Sequence, residues 1–115
     1  MRAIVSLSLM ALLAATPALA DCTAPVADIE IPDGSTATRD AMIAAQRAVK
    51  EYDKAVKTYG DCLMHEVVSK VAEGGDQLKL RAEYDKMNNV EVDKLQKLAD
   101  KFNQELRAFK ARNAG

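Results

Sequence analysis

Beyond Pro32 the chain contains no proline, and through residues 38–115 the one paired interruption of helix-forming sequence is Gly74-Gly75-Asp76. Proline removes a backbone donor and clashes with the preceding turn, so its absence permits unusually long helices, while a glycine pair lets one end sharply. Thr38 offers an N-cap with Asp40 in the first turn, and Asp76 offers a second cap just past the glycines. The expected elements are two helices, about 38–73 and 77–112, each on the order of 54 Å long at 1.5 Å per residue.

Apolar spacing predicts how they pack. Met42, Ala45, Val49, Tyr52, Val56, Tyr59 and Leu63 alternate steps of three and four, a heptad seam that lengthens to Val67 and Val71. The second helix offers Leu80, Tyr84, Asn88, Val92, Leu95, Leu98 or Ala99, Phe102, Leu106 and Phe109. In an antiparallel hairpin, facing residues have position numbers with a constant total. Met42 with Phe109, Ala45 with Leu106, Val49 with Phe102, Val56 with Leu95, Val67 with Tyr84 and Val71 with Leu80 all share the total 151, whose midpoint lies between Gly75 and Asp76. Turn chemistry and hydrophobic period therefore agree on an all-α fold, a long antiparallel helical hairpin of coiled-coil type. Tyr52 is expected opposite Ala99, Tyr59 opposite Val92, and Leu63 opposite Asn88 or Met87; Asn88 either fixes the register or sits at the seam edge.

The first 20 residues have a different character. Arg2, an apolar stretch over residues 3–15 and Thr16-Pro17-Ala18-Leu19-Ala20 have the form of an export signal cleaved behind Ala20. The stretch is too short for a membrane span, and no later segment approaches one. Leu19-Ala20-Asp21-Cys22 also resembles a lipoprotein box, but Asp21 stands where a small residue belongs, and lipidation of Cys22 would strand Cys62 as a single thiol. The expected organisation is a signal at 1–20, an extended arm at 21–37 and a helical-hairpin domain at 38–115, in a protein that is periplasmic or secreted. In an oxidising compartment Cys22 and Cys62 are expected to form a disulfide, with an intermolecular bridge as the other reading.

Pro25, Pro32 and the turn pair Asp33-Gly34 mark the arm as extended. Cys62 lies about 36 Å along the first helix, whereas the chain from Cys22 to Thr38 spans about 50 Å when extended. The arm can therefore turn at Asp33-Gly34, run back along the helix and reach Cys62. Ala41, Ala48, Ala55 and Cys62 recur at strict sevens beside the seam and offer it a groove, although alanine is also simply the best helix former. Val26, Ile29, Ile31 and the prolines are expected to pack there.

Candidate chemistry is sparse. His65-Glu66-Val67-Val68-Ser69 begins like the zinc-protease motif, but Ser69 replaces the second histidine and His65 is the only one in the chain. His65 is expected to be solvated, and Cys62 is no nucleophile if oxidised. Glu51 with Lys54, Asp53 with Lys57 and Glu91 with Lys94 read as ordinary exposed pairs. Met42, Met64 and Met87 read as core filling rather than a copper site. Lys101, Arg107, Lys110 and Arg112 read as cations complementing a helix C-terminus, or as a weak contact to an anionic surface. With residues 1–20 removed, 15 Lys and Arg face 17 Asp and Glu, a net charge of −2 that leaves no footprint for nucleic acid.

Ile31-Pro32-Asp33-Gly34 with Thr38, Asp40, Met42, Tyr59 and Cys62, together with Leu98-Ala99-Asp100-Lys101-Phe102-Asn103 and Arg107, resemble small exported helical proteins of proteobacteria. The resemblance implies a periplasmic home and transfers no catalytic residue. A looser similarity to periplasmic helical chaperones rests on size and helicity alone. The expectation is a non-enzymatic interaction or structural protein of the cell envelope, without cofactor or catalytic residue, binding a protein partner through exposed helix faces and possibly dimeric. The alternative is a small-ligand or metal carrier built on a helical bundle.

Overall fold

The structure, a computed structural model, describes residues 22–113, so the expected export signal and its cleavage point lie outside the described residues. Two helices, α1 (Arg39–Ala72) and α2 (Gln77–Asn113), pack against each other as a hairpin, and the described residues contain no strand. Their ends follow local chemistry. Thr38 is extended and its hydroxyl accepts from the Ala41 N–H at 3.1 Å, satisfying one orphan donor of the first turn. Gly74 adopts a φ of 98°, the left-handed conformation that lets the Gly75 N–H return to the Lys70 carbonyl at 2.9 Å and close α1. The Asp76 carboxylate then caps α2, accepting from the Leu78 and Lys79 N–H groups at 3.0 and 3.2 Å.

The seam is built as two apolar clusters. Near the open end Met42, Ala45 and Phe102 are buried, with Val49, Leu106 and Phe109 packed against them; near the turn Tyr59, Leu63, Val67 and Tyr84 are buried, flanked by Val71 and Leu80. These clusters bring together the residues the constant total of 151 pairs at either end of the hairpin. Gly60 adds a detail the heptad reading passed over: a Cβ there would lie 3.0 Å from the Asn88 Oδ1, so the half-buried Asn88 uses the space a glycine leaves.

Burial is unequal between the helices. Seven residues of α1 are buried (Met42, Ala45, Tyr52, Val56, Tyr59, Leu63 and Val67), against Tyr84, Glu91 and Phe102 on α2. The arm causes the difference, because α1 is covered by α2 on one flank and by residues 22–37 on another. Thr23, Ala24, Pro25 and Val26 line one trough with Ala55, Thr58, Tyr59 and Cys62, while Ile29, Glu30 and Pro32 line another with Ala41, Ala44, Ala45 and Ala48. The arm thus runs antiparallel to α1 along the alanine stripe, and Ile31 and Ala37 join the cluster around Met42 and Phe102.

Three packing expectations need correction. Val26 does not pack on α1 but is 82% exposed, since it shares the outward side of the strip with Asp28 and Glu30. Met64 and Met87 are exposed; among the three methionines only Met42 fills core. Glu91 pairs with Lys94 as its spacing predicts, but it is not an exposed residue: it is buried, 3% exposed, within the seam.

Candidate functional site

The arm is fastened at both ends. At its start Cys22 is bonded to Cys62, with Cα atoms 5.7 Å apart, so the bridge is intramolecular. One turn further along α1, Glu66 accepts from the Cys22 N–H through Oε1 at 3.3 Å and from the Tyr84 hydroxyl through Oε2 at 2.7 Å. Lys70 donates to the Tyr84 oxygen at 2.6 Å and lies 5.1 Å from the ring centroid. A single carboxylate therefore joins arm, α1 and α2. In the sequence Glu66 stands inside the incomplete zinc motif; the signal for its role is its position one turn beyond Cys62, with Lys70 at the next turn.

At the other end the turn over residues 33–37 seats on α2. The Ala37 N–H returns to the Asp33 carbonyl at 2.8 Å, and the Asp33 carboxylate accepts from the Ser35 N–H and hydroxyl at 2.9 and 2.6 Å. Gly34 is buried, and its N–H donates to Glu105 Oε2 at 2.8 Å while Lys101 donates to Oε1 at 2.8 Å. Arg112 completes the seat by donating to the Ser35 and Ala37 carbonyls at 2.9 and 2.5 Å. Arg112 is therefore a clamp on the arm, not merely a cation complementing the end of α2; a hydrogen bond spanning 77 positions leaves no trace in local charge patterning.

This seat should weaken in acid. The Ser35 hydroxyl and N–H hold the Asp33 carboxyl below its ordinary 3.8, and the Lys101 ammonium, then the Gly34 N–H, hold Glu105 below its ordinary 4.5. Both folded-state values lie below the unfolded ones, so their stabilisation is present above about pH 4.5 and is lost as pH falls through the folded values. Urea midpoints measured from neutral pH downward should decline over this range, and Glu105→Gln should flatten the decline.

Midway along the seam the Tyr52 hydroxyl donates to Glu91 Oε2 at 3.0 Å, while Lys94, half exposed, donates to Oε1 at 3.0 Å. Tyr52 therefore reaches along the seam to Glu91, beyond the Ala99 level assigned to it from spacing. Burial first, and then the Glu91 carboxylate, push the Tyr52 phenol up to about 12. Such a phenol stays protonated at neutral pH and serves as a donor rather than an acid. Its folded value lies above the unfolded one of about 10, so the stability it contributes is present below pH 10 and fades as pH rises towards 12. Glu91→Met should cost about 2 kcal/mol by leaving the Tyr52 hydroxyl buried without an acceptor. The double variant Tyr52→Phe/Glu91→Met should recover part of that loss, and equilibrium unfolding of both variants in a double-mutant cycle checks the coupling.

His65 and Ser69 are exposed on α1, and among the described residues no set of three or more His, Cys, Asp or Glu is placed to hold a metal ion. Both described cysteines are in the disulfide. Among the described residues seven large apolar side chains are exposed, and five of them, Met64, Val68, Leu78, Met87 and Val90, lie in the half of the hairpin nearer the turn, with Val68 61% and Leu78 83% exposed. At the open end Arg39, Met42, Ile43, Gln46, Phe102, Leu106 and Phe109 line a shallow depression of about 170 Å³. No described helix is long and apolar enough to cross a membrane. Comparison with protein-family models, curated proteins and solved structures finds no match for this chain.

Proposed function

We propose that the chain is a non-enzymatic interaction protein of a bacterial cell envelope, exported to the periplasm, which binds a protein partner through exposed helix faces. The observation that carries this reading is the exposure of Met64, Val68, Leu78, Met87 and Val90, all in the half of the hairpin nearer the turn. Exposed apolar residues concentrated in one region mark association surfaces more often than catalytic ones. An intramolecular disulfide and a fold with no apolar helix of spanning length accord with an oxidising, aqueous compartment. A photo-cross-linking residue at Val68 or Leu78 should capture a defined protein, or a second copy of the chain, in intact cells. The same group at Lys97, exposed on α2 away from the arm, should capture much less, and equal capture at all three positions would sink the reading.

The alternative, a small-ligand carrier, draws on the depression beneath Met42 and Phe102, whose apolar floor has Arg39 and Gln46 at its border. Native mass spectrometry of periplasmic material separates the two readings. A retained small mass favours the carrier, and a defined protein complex favours the interaction protein.

A further inference from the structure

The arm is bonded to the hairpin at its two ends and not between them. Between Cys22, level with Cys62, and Pro32, which borders Ala41, Ala44, Ala45 and Ala48, ten residues cover roughly 28 Å of helix length. That is about four-fifths of the roughly 33–36 Å reach of a fully extended chain. Across residues 24–31 no backbone N–H or C=O has a hydrogen-bond partner among the described residues. The segment is an extended stretch with no partner in a sheet, its ends pinned by the disulfide and by the seat of Gly34 and Arg112 on α2.

Its side chains set an orientation. Pro25, Ile29 and Ile31 are half-buried towards α1, while Val26, Asp28 and Glu30 are exposed at two-residue spacing, and only the small Ala27 departs from the alternation in being exposed as well. Glu51 of α1 borders the same surface beside Val26 and Asp28. Asp28, Glu30 and Glu51 are exposed, and none has a cationic partner among the described residues. A strand already fixed in extended form has lost its conformational entropy before any partner arrives, which lowers the cost of pairing. Main-chain hydrogen bonds then supply affinity, and alternate side chains supply selectivity.

We infer that residues 24–31 form a docking strand, completed by an extended basic segment of a partner protein that pairs with the open backbone and sets lysine or arginine against Asp28, Glu30 and Glu51. The occupant follows from charge complementarity and from the exposed Val26, which calls for an apolar neighbour just beyond the cations. This surface is separate from the closed end of the hairpin, so cross-linking at Val68 and binding at the arm succeed or fail independently.

The test uses the disulfide-bonded chain and a short blocked peptide of alternating valine and lysine. Titration should give saturable binding and slow the amide exchange of Val26, Asp28 and Glu30. The Asp28→Asn/Glu30→Gln variant, altered only at exposed side chains, should bind at least about tenfold more weakly. The same peptide N-methylated at every amide should not bind. The inference is overturned by absence of binding, by equal binding of the N-methylated peptide or of a valine–glutamate peptide, or by exchange protection that depends on protein concentration alone, which would assign the strand to a second copy.

Discussion

Replacing both Cys22 and Cys62 with serine should remove about 4 kcal/mol of stability, the chain-entropy value for a bridge across a separation of 40 residues. A small domain has only about 5–15 kcal/mol in total, so this one bond supports a large share of the fold. The loss should also be directional. Without the bridge the start of the arm keeps no covalent tie and the weak 3.3 Å bond from the residue-22 N–H to Glu66 must compete with water, so the flank of α1 beside Ala48, Ala55 and Tyr59 becomes wetted. Melts of the wild-type chain with and without reductant make the same measurement, and unchanged melting would show that the arm does not constrain the hairpin.

Gly34→Ala should be nearly as damaging, at about 3 kcal/mol, the upper end of overpacking costs. A Cβ on Gly34 would fall inside the carbonyl group of Glu105 and beside the Phe109 nitrogen, both backbone atoms of a packed helix that cannot rotate away. The requirement is space rather than dihedral freedom, since Gly74 has the only positive φ among the described glycines. Lifting the turn would break the Gly34 bond to Glu105 and displace the carbonyls that Arg112 holds, so the whole seat should go together. Ser35→Ala is the control, because its hydroxyl bonds only Asp33 within the turn and its loss should cost well under 1 kcal/mol. Urea unfolding of both variants checks the contrast; equal effects would mean that the turn is not seated on α2.

Much of the architecture was legible in periodicity and punctuation. Thr38, Gly74 and Asp76 cap as their chemistry demands, and the pairing of Met42 with Phe109 or Val67 with Tyr84 follows from counting along two amphipathic helices. The path of the arm was legible too, because Cys22, Cys62 and the turn at Gly34 leave it one flank of α1 to follow. What escaped notice were polar groups whose partners are distant in sequence. Glu91 looks like an exposed i,i+3 partner of Lys94, and only the arrival of Tyr52 from the facing helix shows it to be a buried acceptor. Glu66 and Arg112 likewise acquire their roles from arm backbone groups 44 and up to 77 positions away.

The sequence by itself determined the local and the periodic: where helices start and stop, which stripe of each is apolar, and which two cysteines can meet. Those properties depend on backbone stereochemistry and on a repeat of 3.5 to 3.6 residues, both of which can be read along one strand of text. The tertiary structure alone decided which side chains stay exposed in the half nearer the turn, which carboxylates are buried, and that the arm lies pinned at both ends with the backbone of residues 24–31 unpaired. Each of these depends on what covers a residue from another segment, and burial and hydrogen-bond satisfaction have no periodicity to announce them.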